Sequence, residues 1–593
     1  MSIADHLADV RRQMASEGID ALLVPRADEY LGEYLPDYNE RLRWLTGFTG
    51  SAGLLVLLPE RAAIFVDGRY SVQVRRELHA DLFEYLHLHD DPAAQWLAEQ
   101  LDSGAKVGCD TRMHSLSWFE ATAGTLQRAG IELVATADNL VDRCWTGRPR
   151  RPAAGAMLLP RAKTGEASAD KRARIARALR DKSADAALIF APDSISWLLN
   201  IRGGVMPQLP VVLGMGLLHA DGEFTLFTEP DDLPGAFASH VGEGVSVLPE
   251  NAAPDAFAEL AGKSVLADPA TANAWSQLAL RDAGVVLIAG DDPVLVPKAC
   301  KNAVELDGSR AAHLRDAVAE VRFLAWLDRE VAAGRLHDEG VLAEQLLGLR
   351  CAGDDYHALS FDTISAAGAN AALCHYNHLN AGAAPLTMDS VYLVDSGAQY
   401  LDGTTDITRT VAIGEPGDEV RRLFTLVLKG HIALARARFP AGTTGTQLDA
   451  LARQFLWREG FDFDHGTGHG VGVFLSVHEG PQRISKAPSS VALRPGMIVS
   501  NEPGYYRDGA FGMRCENLQV VRECAESVET PMLEFETLSL APFDRRLLAP
   551  ALLDANELQW LNDYHARVNA ELAPLLDDAD REWLLAATAV VCH

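Results

Sequence analysis

The sequence predicts a multidomain α/β and α+β protein: two related α/β domains followed by a larger α+β domain. Three observations carry this. Helix and strand patterns alternate through the first half. One order of features occurs there twice. The second half sets long amphipathic helices apart from short apolar strands. At 593 residues the chain also exceeds what one hydrophobic core organises.

Ile3, Leu7, Val10 and Met14 recur at helical spacing and predict a first helix. Residues 21–24 read as a buried strand, and the segment from Arg43 to Gly53 as turn-rich. Strands are expected at 53–58 and 62–66, the second closed by the turn dipeptide Asp67-Gly68, with helices over 71–78 and 92–101. The stretch Thr146-Gly-Arg-Pro-Arg-Arg-Pro152 breaks the pattern and marks a linker. Beyond it, 171–182 reads as a helix and 186–190 as a strand. The segment Asp193-Ser-Ile-Ser-Trp197-Leu-Leu-Asn-Ile-Arg-Gly-Gly204 then resembles the earlier Trp44-Leu45-Thr-Gly-Phe-Thr-Gly-Ser. Residues 1–150 and 151–302 are therefore read as two related domains, with scaffolding, oligomerisation and substrate-gating parts to play.

The third domain, residues 303–593, opens on a long helix, because Leu314, Val318, Val321, Leu324 and Leu327 recur at helical intervals. Further helices are expected over 337–350, 418–438 and 446–459, with strands at 391–395, 406–413, 497–500 and 519–522. A C-terminal helical extension carries Leu558-Gln-Trp-Leu-Asn-Asp-Tyr-His565, whose Trp560 and Leu561 call for a partner surface such as a dimer.

A net charge of −29 argues against a nucleic-acid partner, which needs a basic face. The eight cysteines include no CxxC pair and read as buried or partly buried free thiols in a reducing compartment. No basic-then-apolar leader opens the chain and no apolar run is long enough to span a bilayer, so a cytoplasmic location without membrane contact is expected.

Chemistry concentrates between Asp395 and Asn517. Asp395 ends the apolar run Val391-Tyr-Leu-Val394, where a carboxylate is costly to bury. Asp406 follows the turn at Asp402-Gly403 and precedes another strand, so a hairpin would bring the two acids together. Asp402 is read as a turn former. Glu502 repeats the strand-end pattern before Pro503-Gly504, and Glu516 stands among Met513, Cys515, Leu518 and Val520. Four carboxylates buried together require cations, and Arg514 alone compensates only one. His469, flanked by Gly468 and Gly470, is expected to present its imidazole from a loop. One imidazole with four carboxylates is a hard donor set that favours manganese or a similar ion, and two such ions would share bridging carboxylates as in two-metal hydrolases. His375, His465 and His478 suit oxyanion stabilisation and proton transfer. Glu479 would either orient one of them or form a structural salt bridge.

Long ordered motifs across nearly the whole chain resemble the pita-bread metallopeptidases, and specifically the three-domain Xaa-Pro aminopeptidases. They are Gly68-Arg69-Tyr70, Trp197-Leu-Leu-Asn-Ile-Arg-Gly, Leu393-Val-Asp-Ser-Gly-Ala-Gln-Tyr and Asp402-Gly-Thr-Thr-Asp-Ile-Thr-Arg-Thr. To these are added His465-Gly-Thr-Gly-His-Gly-Val-Gly, Val477-His-Glu-Gly-Pro, Asn501-Glu-Pro-Gly-Tyr-Tyr and Trp560-Leu-Asn-Asp-Tyr-His. The resemblance implies a pita-bread catalytic domain, a curved antiparallel sheet backed by helices. It implies two divalent metal ions, Mn2+ first with Zn2+ or Co2+ able to substitute. Asp395 would bind one ion, His469 and Glu502 the other, and Asp406 and Glu516 both. His375, His465 and His478 fall at the family's catalytic and substrate-contacting positions, and a homodimer through the C-terminal domain is implied. Two departures are Asn501, where some relatives carry an acid, and Cys515 between Arg514 and Glu516, for which packing outweighs thiol reactivity.

The expected reaction removes the first residue from peptides with proline second, by attack of a metal-bridging hydroxide, with Glu502 managing the proton. Proline there gives a tertiary amide without an N–H. The rival reading is a prolidase, disfavoured by the two additional domains. Creatinase-like chemistry does not need the full ligand set, and a metal-free binding module would lack the ligands.

Overall fold

The computed structural model describes residues 2–152, 155–206, 208–526 and 529–592. The chain forms two compact units: residues up to 295 apart from 161–165 and 207–209, and those two stretches together with residues 296–593.

The first unit contains two six-stranded sheets. In one, β1 (Ala21–Pro25), β2 (Leu54–Leu57), β3 (Ala62–Val66), β4 (Glu84–His87), β5 (Lys106–Cys109) and β6 (Glu132–Ala135) lie in the order β4-β3-β2-β1-β5-β6. In the other, β7 (Ala186–Ile189), β8 (Met215–His219), β9 (Phe224–Phe227), β10 (Val245–Leu248), β11 (Ser264–Ala267) and β12 (Val286–Ala289) lie in the order β10-β9-β8-β7-β11-β12. Both sheets use one pattern: antiparallel within the central β1-β2-β3 and β7-β8-β9 runs, parallel at the flanking pairs. Strands β2, β3 and β7 are buried along their whole length, as covered sheets require. The repeated Trp-Leu segments are not turns. Trp44 lies on the helix Arg41–Thr46 and Trp197 on Pro192–Leu199, each closed by a left-handed residue, Gly47 (φ 87°) and Asn200 (φ 54°). A single residue at positive φ ends the helix, which is why the glycine-rich sequence reads as loop.

The second unit opens on the helix Ala303–Ala332, started by an Asn302–Glu305 capping box. Its buried side carries Ala317, Val321, Phe323, Leu324 and Leu327. Three strands, β13 (Ile364–Ala367), β14 (Ser390–Ser396) and β15 (Ile407–Ile413), form one antiparallel sheet with β14 central. A six-stranded sheet includes β16 (Gly468–Gly470), β17 (Glu479–Ile484), β18 (Ile498–Asn501) and β20 (Asn517–Glu523); β19 (Phe511–Arg514) pairs separately with Gly504–Arg507. Helix Asp418–Ala435 stops short of the expected 438 because Arg438–Pro440 is an edge strand paired with Met532–Thr537. It packs closely on Gly445–Trp457 at Gly430, where a Cβ would collide with the Ala452 carbonyl.

Two expectations are corrected. Leu561 and Trp560 find their surface inside the chain: Leu561 is fully buried and Trp560 packs beside it, in the core shared by helices Asp418–Ala435 and Ala555–Leu572. And while Cys109, Cys515 and Cys524 are buried, Cys351 and Cys592 are exposed.

Candidate metal centre

Asp395 lies near the end of β14 opposite Thr408 of β15, and Asp406 immediately precedes β15, so the pairing places both acids at one end of the sheet. Glu502 directly follows β18 and Glu516 directly precedes β20, strands paired Asn501 to Asn517. His469 is in the middle of β16 rather than in a loop. Its Nδ1 lies 2.9 Å from the Gly470 carbonyl oxygen, which only accepts, so Nδ1 carries a proton and Nε2 is the atom turned toward the carboxylates. That Nε2 lies 3.4 Å from Asp406 and 3.5 Å from Glu502.

Asp406, His469 and Glu516 each offer a ligand atom, all within 4.8 Å of one another. Burial raises Asp406 to about 6, with Asp395 and Glu502 adding to it. Burial likewise pushes Glu516 well above the usual carboxylate range, reinforced by Asp406, Glu502 and Asp395. For His469 burial opposes protonation, but Asp406 and Glu502 outweigh it and lift the imidazole to about 9. Such mutual repulsion among acids, met by one imidazole, is what divalent cations relieve. Asp395 is left with an unmatched oxygen that suits a cation. Its Oδ2 accepts from Arg514 at 2.5 Å, yet its buried Oδ1 has no hydrogen-bond partner, an orphaned acceptor of the kind a cation would use. The carboxylates are held from behind: Thr408 Oγ1 donates to Glu516 at 2.6 Å and Ser500 Oγ to Glu502 at 3.1 Å. The five residues thus suit a pair of hard divalent ions.

The histidines divide. His478 packs edge-on against His469 with ring centres 4.4 Å apart. His465 lies 3.9 Å from Glu502, and its Nε2 meets the Tyr506 hydroxyl at 2.8 Å. Because His465 Nδ1 lies 2.7 Å from the Gly466 carbonyl and so carries the ring proton, Nε2 accepts from the Tyr506 hydroxyl, which itself accepts from the Arg514 guanidinium at 2.7 Å. A chain Asp395–Arg514–Tyr506–His465 results. His375 is half-buried beyond the turn Gly368–Ala372, which lies so close to β19 that a Cβ on Gly512 would overlap the Ala371 carbonyl.

Asp402 faces away from the cluster, paired to Lys163 at 2.8 Å and to Arg315. Glu479 forms a buried salt bridge with Lys298 and Lys301. Cys515 is a packing residue, its thiol pushed by burial to about 12.

Three contributors lie outside the expected set. Arg409 is buried and donates to the carbonyls of Glu516 (2.6 Å) and Ala541 (2.7 Å) while stacking on Phe543. Arg409 and Tyr506 fall inside the motifs Asp402-Gly-Thr-Thr-Asp-Ile-Thr-Arg-Thr and Asn501-Glu-Pro-Gly-Tyr-Tyr, yet no local pattern gave either a role, and none singled out His431.

Comparison with known proteins agrees with this geometry. The model of metallopeptidase family M24 matches residues 307–523, and its C-terminal region residues 531–591. Creatinase/prolidase N-terminal domain models match residues 6–144 and 147–305. A probable Xaa-Pro aminopeptidase P of Tuber melanosporum is 39% identical, over 95% of this chain and 94% of its own. That of Pyricularia oryzae is 40% identical over 95% of each. A crystal structure of X-prolyl aminopeptidase from Caenorhabditis elegans, described as a cytosolic enzyme with a di-nuclear active site, superposes with a TM-score of 0.95 at 34% identity and full coverage of both chains. With creatinase-type domains ahead of the metallopeptidase domain, and relatives of the same layout matched end to end, the chain belongs to the aminopeptidase P branch of metallopeptidase family M24.

Proposed function

We propose that the chain is an Xaa-Pro aminopeptidase that removes the N-terminal residue from peptides with proline in the second position. The observation that carries the reading is the convergence of Asp406, His469 and Glu516 within 4.8 Å beside the orphaned Oδ1 of Asp395. The full-length relatives named for this activity support it.

In this reading Asp395 would hold one divalent ion, His469 and Glu502 the second, with Asp406 and Glu516 shared between them; four carboxylates and one imidazole favour Mn2+. The chemistry such ions would supply is polarisation of a peptide carbonyl and activation of water at neutral pH. Glu502, near His465 and His469, takes up and returns the proton. His465, held by Tyr506 at Nε2 and by the Gly466 carbonyl at Nδ1, shapes the substrate side of the site; His478, packed on His469, and His375 bind the substrate carbonyl and amide and donate to developing negative charge.

The division at about residues 150 and 302 belongs to the same reading, supported by the two like-ordered sheets. So do a cytoplasmic location and a C-terminal homodimer. For the first, the nematode relative is described as cytosolic, and no helix among the described residues is long and apolar enough to cross a membrane. The dimer rests on family resemblance, since the tail helix packs within its own chain.

The test is metal analysis of the purified protein alongside hydrolysis of Arg-Pro-Pro and of an Xaa-Pro dipeptide. Release of arginine from the tripeptide with about two ions per chain is expected. Cleavage of the dipeptide alone would establish a prolidase, and full activity without metal would overturn the proposal.

A further inference from the structure

Behind His478 lies a group of charges that peptide hydrolysis as described does not use. Glu479, the next residue, is fully buried, and two buried lysines converge on it: Lys298 Nζ lies 3.2 Å from one carboxylate oxygen and Lys301 Nζ contacts the other. Burying three charges is costly, and a hydrophobic trio of the same volume would stabilise the fold at least as well. The arrangement therefore calls for a role in specifying geometry.

The backbone shows which geometry. Glu479 opens β17 and pairs with Gly470 of β16, and a register shift between His469 and Gly470 sets His469 opposite Arg483. Both Gly470 and Gly472 are needed for this approach: a Cβ on Gly470 would overlap the Glu479 carbonyl, and one on Gly472 would crowd its carboxylate. Ser476 Oγ donates to the His478 carbonyl at 2.7 Å. The lysine segment is tied to the same region, since the Lys301 N–H donates to the Gly496 carbonyl at 3.0 Å and Cys300 bridges to Met497. With one carboxylate oxygen hydrogen-bonded by Lys301 and the other in ion-pair contact with Lys298, Glu479 fixes the chain at the point from which the His478 ring meets that of His469.

We propose that Lys298, Glu479 and Lys301 form a buried clamp that positions His478 against His469 for reaction; this rests on the peptidase reading above. All three are positioning residues, acting through His478 and not on substrate.

A double-mutant cycle tests it, with kcat and KM measured on Arg-Pro-Pro for wild type, Glu479→Gln, His478→Ala and the double variant, and metal content measured for each. Glu479→Gln is expected to lower kcat by about ten- to a hundredfold, with KM and bound metal near wild type, as displacement of a reacting group by about 1 Å does. In the His478→Ala background it is expected to have no further effect. Multiplicative losses, or metal lost with Glu479→Gln, would overturn the clamp. Where Glu479→Gln fails to fold, Lys301→Met takes its place in the same cycle, and Lys301→Arg, which keeps the charge, is expected to restore most of kcat. A Lys301→Arg variant as impaired as Lys301→Met would also count against it. A wild-type chain that leaves the tripeptide intact overturns the peptidase reading itself, whereas an active wild type with multiplicative effects overturns only the clamp.

Discussion

His431 donates from Nδ1 to the carbonyl oxygen of Asn501 at 3.0 Å, and the same Nδ1 lies 3.2 Å from the carbonyl of Cys515. Asn501 and Cys515 immediately precede Glu502 and Glu516. One imidazole on the helix Asp418–Ala435 thus ties together the backbones from which two carboxylates of the cluster project. Its Nε2 accepts from Asn517 at 3.3 Å, and the Asn501 amide returns a bond to the His431 carbonyl at 3.0 Å. Replacing His431 with phenylalanine keeps an aromatic ring and the backbone carbonyl and removes the bonds made by the imidazole nitrogens. The expected outcome is Mn2+ binding weakened by about 10–100-fold, as for other outer partners of metal ligands. Calorimetric titration of the metal-free variant checks this; unchanged affinity would show that the strands hold the carboxylates without help.

The same histidine sets an acid limit on stability. Burial drives His431 down to about 3, with Arg409 adding to it, and burial likewise brings His565 to about 3. His114, in the first unit, is lowered to about 3 by burial alone. A histidine depressed on folding contributes stability that is whole above its unfolded pKa of about 6.5 and is lost as pH falls toward the folded value. Each should therefore cost about 1.4 kcal/mol per pH unit between roughly 6.5 and 3. Thermal melts from pH 7 to 4 are expected to fall steeply in both units. In His565→Gln, whose side chain still accepts from the Phe543 N–H, the fall should be shallower. A parallel fall in wild type and variant would count against the assignment.

Proton release on metal binding follows from the opposite shifts. In the metal-free chain Asp406 is raised to about 6, Glu516 lies well above its usual range, and His469 is raised to about 9. His469 therefore carries a proton near pH 7 and Glu516 is biased toward its protonated form, and a cation binding there favours the deprotonated forms. Titration with Mn2+ at pH 7, in buffers of different ionisation enthalpy, should show protons released on binding. The stability sign is also fixed. A group raised on folding contributes stability below its unfolded pKa, and this is lost as pH rises through the folded value. The metal-free chain should therefore lose stability on passing about pH 6, through Asp406, and on passing about pH 9, through His469, while the loaded chain should not. Absence of proton release would indicate that the acids are already ionised.

How much of this was legible depended on whether the signal was local. Asp395, Asp406, Glu502 and Glu516 stood out because each is a charge at the edge of an apolar strand, a conflict visible in a few residues. His469 was found by its neighbours but misplaced, since flanking glycines look alike in a loop and in a strand against which another backbone presses. Position 470 is the second case, pressed by Glu479. The helix Arg41–Thr46 was hidden because the glycine that ends it is also a turn residue. Arg409, His431 and Lys298 acquire their roles only from partners about 100, 70 and 180 residues away in sequence, and no local pattern encodes such pairing.

The tail illustrates the same point for assembly. From sequence, the apolar Trp560 and Leu561 call for a partner surface such as a dimer. Instead Leu561 is fully buried among Leu423, Phe424, Val427, Leu558 and Tyr564, while Tyr564 stacks on Trp560 at 5.4 Å and meets Arg409 at 2.9 Å. Leu561→Ala should therefore destabilise the chain by about 2–5 kcal/mol, the range for deleting a buried leucine. Oligomeric state at matched concentration should be unchanged, because the side chain lies in the chain's own core. Since Arg409 also donates to the Glu516 carbonyl, loosening this helix should reach the metal centre, and Mn2+ affinity should fall along with stability. Chemical denaturation with light scattering separates the alternatives. A variant of wild-type stability that shifts toward smaller species would place Leu561 in an interface between chains.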